Sequence, residues 1–259
     1  MKKKLPGKSG IILKADWEIE ILRKANAIVA KVLHILREQL KEGISTYDLD
    51  QLAEAEIVKS GGLPAFKGYK GYPATLCISI NEEVVHGIPK KGRMLKQGDL
   101  VSMDVGVVYN GYVGDAALTA TVGPPSKEAA NLIAVTEEAL KRGIIQARPK
   151  NRLGDISHAI QRHVEGAGYS VVKQFVGHGV GKSLHEPPEI PNFGRRGRGP
   201  VLKPGMVLAI EPMVNMGSGE VKILDDGWTA VTADGSLSAH FEHSVAITKK
   251  GPVVLSVPD

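Results

Sequence analysis

The chain has 259 residues, 42% of them hydrophobic and 5% aromatic, and carries a formal net charge of +5. Its single cysteine, Cys77, excludes an intrachain disulfide and favours a reducing compartment. No run of about 18 apolar residues suggests a membrane span, and the basic start MKKKLPGKSG lacks the apolar stretch of a secretory signal, so the expectation is a soluble, cytoplasmic protein.

Taken in chain order, residues 1–13 read as a basic N-terminal tail. Two amphipathic stretches follow, one over roughly Asp16–Lys41 and one carrying Leu49 and Ile57 and stopping near Gly61; both predict helices. Next come two β-rich runs on either side of Asn110-Gly111, the strongest short signal for a two-residue hairpin. If Tyr109 and Tyr112 flank that turn, pairing continues Val108 with Val113, Val107 with Gly114 and Gly106 with Asp115. Asp104, two residues before Gly106, then shares the face of Asp115. The two carboxylates become diagonal cross-strand neighbours with Cα atoms ~5.5–8 Å apart, a spacing suited to two metal ions ~3.5–4 Å apart. For the hairpin alone, a surface ribbon with two solvated acids is an equally good reading.

The chain then repeats itself. Gly98-Asp-Leu-Val-Ser-Met-Asp104 matches Gly205-Met-Val-Leu-Ala-Ile-Glu211, so that one acid falls on the other. The same register sets the first helix on a stretch over roughly Ser126–Ala147, and Leu49, Ile57 and Gly61 on Ile156, Val164 and Gly168. Val85-His86-Gly87-Ile88 also resembles Gly177-His178-Gly179-Val180. Each half, about 14–122 and 123–250, runs helix, helix, strands, with an acid at the end of a strand. Two such halves facing one another would bring the acids to a central cleft, and an interleaved repeat argues for one domain over 1–259.

Asp104, Glu211 and Glu242 lie in the runs LVSMDVGVV, MVLAIEPMV and AHFEHSVAI, which otherwise read as buried strands and contain no Lys or Arg. A buried carboxylate is costly unless something positive meets it. A cation shared by several strands, with Asp115 and His178 completing the set, satisfies them together. His86 and His185, in glycine- or proline-flanked loops, are candidates for hydrogen bonds to a bound substrate. His34, His158, His163, His240 and His243 are read as surface or packing residues. The basic cluster Arg195-Arg196-Gly-Arg198 is a candidate RNA contact, although a solvated loop is the commoner reading. Gly177–Ser183 lacks the spacing of a phosphate loop.

The ligand set Asp104, Asp115, His178, Glu211 and Glu242 resembles that of the methionine aminopeptidases. The surrounding segments GYKGYPATLCISINEEVVHGIP, GDLVSMDVGVVYNGYVGDAA, GHGVGKSLHEPPEIPNFG, LKPGMVLAIEPMV and DGSLSAHFEHSVAIT are similar too. The likeness runs from about Lys14 to Thr248 and is to the short, bacterial type I form. It departs at His240, where the family usually has Gln, and at Leu184, where an aromatic residue is frequent. The resemblance implies an α+β "pita-bread" (creatinase/aminopeptidase) fold, with two pseudo-symmetric helix-helix-strand halves and a central antiparallel sheet. It implies two divalent ions per chain (Co, Mn, Fe or Zn). Asp115 and Glu242 would bridge them, Asp104 would complete one, and His178 and Glu211 the other. It further implies attack by a metal-bridged hydroxide on the first peptide bond, with Glu211 handling protons and His86 and His185 contacting substrate. Phe66, Tyr69, Tyr72, Cys77 and Trp228 would form the methionine pocket. The implied activity removes the initiator methionine from nascent polypeptides when the next residue is small, by a monomer that can contact ribosomes but neither membrane nor DNA. Two competing readings share the fold. One is an Xaa-Pro aminopeptidase or prolidase-like enzyme, which usually carries an added N-terminal domain. The other is a non-catalytic binding protein, of a kind that typically loses metal ligands; all five are present here.

Overall fold

The computed structural model describes residues 10–257; most of the expected 1–13 tail lies outside them. Helix α1, Asp16–Glu38, starts where Glu18 turns back to accept the Ala15 N–H at 2.8 Å, with Asp16 and Glu18 in the first turn meeting the positive end of the helix dipole. It stops short of Lys41 because the chain turns through Gly43 (φ +83°) to reach the next cap. There Ser45 and Asp48 cap α2, Thr46–Lys59, reciprocally: the Ser45 hydroxyl accepts the Asp48 N–H at 3.0 Å and the Asp48 carboxylate accepts the Ser45 N–H at 3.3 Å. The second half repeats the plan with α3, Lys127–Gln146, capped by Ser126, and α4, Leu153–Gly166. Gly61 and Gly168, matched in the sequence repeat, both take positive φ (+78° and +84°) just past α2 and α4, a conformation that costs glycine least.

Short strands β1 (Leu63–Pro64), β2 (Leu76–Ile80) and β3 (Glu83–Val85) lead to the long hairpin β4 (Leu100–Tyr109) and β5 (Tyr112–Thr121). After α3 and α4 come β6 (Ser170–Val171), β7 (Gly177–Gly179), β8 (Glu186–Ile190), β9 (Val207–Ile210) and β10 (Met213–Asn215). The chain finishes with β11 (Val221–Ile223), β12 (Ala230–Thr232), β13 (Ser238–His240), β14 (Glu242–Thr248) and β15 (Gly251–Val254). The central sheet is antiparallel in the order β1-β4-β5-β14-β9-β7-β8, with β2 on β4 and β15 on β14. It joins the two halves through β5 and β14. The fold is the pita-bread arrangement expected.

Strand parity decides what each face carries. Met103, Val105 and Val107 of β4 and Ala116 of β5 point at α1 and α2, while Leu208, Ile210, Val245 and Ile247 point at α3 and α4. Ala116 pairs with His243, which puts all these residues, and so all four helices, on one side of the sheet. Asp104, Asp115 and Glu242, one step out of phase, face the other side. α1 can lie this close to β5 only because Gly114 has no side chain: a Cβ there would sit 2.6 Å from the Ala25 carbonyl carbon and 2.7 Å from Asn26 N. Gly114→Ala is therefore expected to cost about 1–3 kcal/mol by overpacking. That corresponds to roughly 2–4 °C of Tm per kcal/mol in a chain of this size. An unchanged melting curve would show that the helix has room to move.

Candidate metal centre

The hairpin register is the one anticipated: Tyr109 opposite Tyr112, Val108 opposite Val113, Val107 opposite Gly114, Gly106 opposite Asp115. Asn110 and Gly111 both take positive φ (+48° and +77°), as a primed two-residue turn demands. Asp104 lies opposite Ala117, and Ala117 in turn lies opposite Glu242, so Asp104 and Glu242 flank one β5 residue with Asp115 two positions away on the same face. His178 pairs with Ala209, two residues before Glu211, and thereby shares the face of Glu211. One detail differs from the expectation of acids at strand ends. Glu211 does follow the end of β9, because Pro212 has no N–H to continue the ladder; Asp104 sits in mid-strand, because the tight turn keeps β4 paired on as far as Tyr109.

All five residues open onto one cavity of about 170 Å³, and so do His86, His185, Phe66, Tyr69, Tyr72, Cys77 and Trp228. Lys70 and Leu184 also line it. Asp115 and Glu242 are only 3% and 2% exposed. The backbones of Asp115 and Glu211 are held from outside the cavity: Asn26 Oδ1 accepts the Asp115 N–H at 3.2 Å, the Ser244 hydroxyl donates to the Asp115 carbonyl at 2.8 Å, and Asn192 Nδ2 donates to the Glu211 carbonyl at 3.0 Å.

The donor set fits divalent cations. Carboxylate oxygens of Asp115 and Glu242 and a ring nitrogen of His178 lie within 4.8 Å of one another. His178 Nδ1–H donates to the Gly179 carbonyl at 2.9 Å, which leaves the Nε2 lone pair bare, 3.5 Å from Glu211 Oε1 and 3.8 Å from Asp115 Oδ2. Asp104 Oδ1, Asp115 Oδ1 and Glu242 Oε1 are buried without a hydrogen-bond partner. Burial, followed by mutual repulsion, drives the protein alone to keep these acids protonated: Asp104 is pushed up to about 7, chiefly by desolvation. Asp115, Glu211 and Glu242 are raised well above the ordinary range by desolvation and then by each other's charges and that of Asp104. His178 is lowered to about 4 by burial and by His185, which keeps it neutral and able to bind metal. Bound cations reverse the carboxylate shifts.

The two histidines expected to contact substrate, His86 and His185, sit on irregular backbone. His86 has φ +60°, held by the close approach of Gly87, whose carbonyl accepts the Ile78 N–H at 2.9 Å and where a Cβ would meet the Ile78 carbonyl oxygen at 2.1 Å. Its ring meets Phe175 edge-on at 5.3 Å and Trp228 at 6.2 Å, and burial and His185 lower it to about 4. His185 lies 4.2 Å from His178 between ring centres, and its Nδ1 is 2.8 Å from the Tyr69 hydroxyl. On the apolar side, Tyr72 donates to the carbonyls of Leu76 (3.0 Å) and Gly87 (2.9 Å) and meets Trp228 edge-on at 5.1 Å. Cys77 lies opposite Asp104 across β2 and β4, and burial pushes its thiol pKa upward.

Besides Lys70 in the cavity wall, sequence reasoning missed two further neighbours of this site. His240, read as surface or packing, is 2% exposed, with Nε2 unpartnered and 3.7 Å from Glu211 Oε2; burial and His86 lower it to about 3. Its position two residues before Glu242 was the available signal. Phe175, against His86, carried none.

Buried acids and one bare imidazole facing a cleft in this fold define a metallopeptidase, and the chain belongs to metallopeptidase family M24, whose model matches residues 20–249. A methionine aminopeptidase of Clostridium perfringens is 56% identical over 247 residues, which cover 95% of this chain and 99% of that one. The crystal structure of methionine aminopeptidase from Thermotoga maritima superposes with a TM-score of 0.94 at 48% identity, covering 95% and 99% of the two chains. Prolidase from Pyrococcus furiosus has a TM-score of 0.79 at 26% identity, and the match spans 66% of that longer chain. Within its family the chain groups with the methionine aminopeptidases and is a metallo-exopeptidase; neither the Xaa-Pro nor the non-catalytic reading is favoured.

Proposed function

We propose that Asp104, Asp115, His178, Glu211 and Glu242 would together hold two divalent ions in the cleft, and that the protein releases the initiator methionine from nascent polypeptides whose second residue is small. The observation that carries this reading is the group of buried, unpartnered carboxylates beside an aromatic and thiol-lined cavity. Four carboxylates balance two 2+ ions, and an oxygen-rich set with one imidazole suits Mn(II), Fe(II) or Co(II) better than thiolate-seeking metals. Bound there, such ions supply Lewis acidity and an acidified water at neutral pH. Glu211 takes the proton from the attacking water and returns it to the leaving amine. His185 hydrogen-bonds the scissile carbonyl as charge builds on its oxygen, and His86 the peptide nitrogen. Phe66, Tyr69, Tyr72, Cys77 and Trp228 receive the side chain, and a soft, unbranched thioether suits aromatic and sulfur walls.

We read the chain as a single catalytic domain over 1–259, acting in the cytoplasm as a monomer. The lone cysteine favours that compartment, and among the described residues no helix is long and apolar enough to cross a membrane. The basic loop Arg195–Arg198 offers a contact for ribosomal RNA.

Release of the first residue from Met-Ala-Ser, Leu-Ala-Ser and Ala-Pro-Ser tests the reading. With Mn(II) or Co(II) restored to metal-stripped protein, Met-Ala-Ser alone should be cut. Preference for Ala-Pro-Ser would move the chain to the Xaa-Pro branch, and silence on all three with metal bound would sink the enzymatic assignment.

A further inference from the structure

His185 stands on the segment between β7 and β8, which touches the first helix's approach through one buried ion pair. Lys14 Nζ lies 2.6 Å from Glu186 Oε2, and the two side chains are only 3% and 5% exposed. The other carboxylate oxygen, Glu186 Oε1, accepts the N–H groups of Lys182 (2.9 Å) and Ser183 (3.3 Å), closing the loop on itself immediately beside His185. Lys14 is itself fixed: its N–H donates to the Gly205 carbonyl at 2.7 Å and its ammonium also reaches the Ile12 carbonyl at 3.3 Å. The pair fits only because position 181 is glycine. A Cβ there would lie 2.5 Å from Glu186 Oε1 and 2.6 Å from Lys14 Cε. The Gly181 carbonyl in turn accepts the Val113 N–H at 2.8 Å, two residues from Asp115, so the loop is referenced to the strand that carries a metal-facing acid.

Buried ion pairs are poor sources of net stability, since both ions give up hydration. What they confer is geometry, and catalytic groups need placement within about 0.5 Å. We propose that the Lys14–Glu186 pair is a positioning device for His185, locking the 181–186 loop so that the imidazole meets the scissile carbonyl. The proposal rests on the role given to His185 above. Lys14 and Glu186 touch no substrate; they act through the histidine.

The test is a double-mutant cycle in the metal-loaded full chain, with Met-Ala-Ser as substrate. Lys14→Met should lower kcat about 10- to 100-fold, the scale of a misplaced catalytic group, while KM and Mn(II) binding by calorimetry stay within about twofold. In a His185→Ala background the same substitution should change kcat less than about twofold, since there is no imidazole left to position. Equal losses in both backgrounds would mean that the pair serves the fold or the metal site and would overturn the proposal, as would no loss in the parent. Full kcat in His185→Ala alone refutes the role of His185 itself, a result distinct from either. If Lys14→Met does not fold, Lys14→Met/Glu186→Gln leaves no buried charge and keeps an oxygen for the Lys182 and Ser183 N–H groups; the same background dependence is then expected, and its absence is equally decisive.

Discussion

Glu211→Gln is expected to lower kcat on Met-Ala-Ser by about three orders of magnitude or more while leaving a folded protein. General acid–base catalysis is worth about 10²–10⁴, and Glu211 is asked to be both proton carrier and ligand. The fold should survive for reasons visible around the residue. Asn192 holds its main-chain carbonyl, not its side chain, so that hydrogen bond persists. Burial and the charge of Asp104 raise the Glu211 pKa, so the native state of the metal-free protein gains nothing from ionising this acid, and a neutral amide of the same shape removes a liability. Asp104→Ala should also abolish turnover, through loss of a ligand. Metal content measured alongside activity separates the two roles: a Gln variant that retains its ions yet does not turn over points to the proton. Full activity in both variants, with unchanged thermal melts, would sink the proposed site.

The parts of this site legible in the sequence are those governed by strand parity. Asn110-Gly111 fixes its own turn type through two positive φ values, and from that turn the pairing of Gly106 with Asp115 follows by counting. The repeat was legible because both halves reuse one helix-helix-strand plan, down to the glycines that end α2 and α4. Parity also marks what is hidden. The two-residue spacing of His240 from Glu242 hinted at the site, but the two belong to different strands separated at Phe241, and only the fold brings His240 to Glu211. Tyr69, Lys70 and His86 sit on backbone that no periodicity describes; Lys70 and His86 both have positive φ. The Lys14–Glu186 pair joins residues 172 positions apart with no local signature at either end. Register and face follow local rules, whereas the placement of catalytic loops depends on long-range polar contacts that leave no pattern in the chain.

Removing the metal should abolish activity and also change how stability responds to pH, in a direction the site dictates. In the metal-free protein Asp104 is raised to about 7, and Asp115, Glu211 and Glu242 lie well above the ordinary value of about 4. Native pKa values above the unfolded ones mean that the native state binds more protons. The stability these groups allow is complete below about pH 4 and is lost as pH rises through their native values. The buried histidines run the other way: His86, His178 and His243 are lowered to about 4 and His240 to about 3, so their contribution is lost as pH falls from 6.5. Below about pH 7.5 the two sets oppose one another, because unfolded histidines are still half charged at about 6.5. Above it the histidines are almost wholly neutral in both states and the buried carboxylates set the slope. The metal-free protein should therefore lose about 1.4 kcal/mol per pH unit for each proton its native carboxylates still hold, or a few degrees of Tm between pH 7.5 and 8.5. Mn(II) or Co(II) compensates the carboxylate charges, so the stabilisation it confers should widen over the same interval, with protons released on binding. Calorimetric Tm values of stripped and reloaded protein at pH 7.5, 8 and 8.5 read this directly. A metal-induced gain that stayed constant or shrank with rising pH would mean that the carboxylates are already ionised without metal, and that a positive side chain, not a metal ion, balances them.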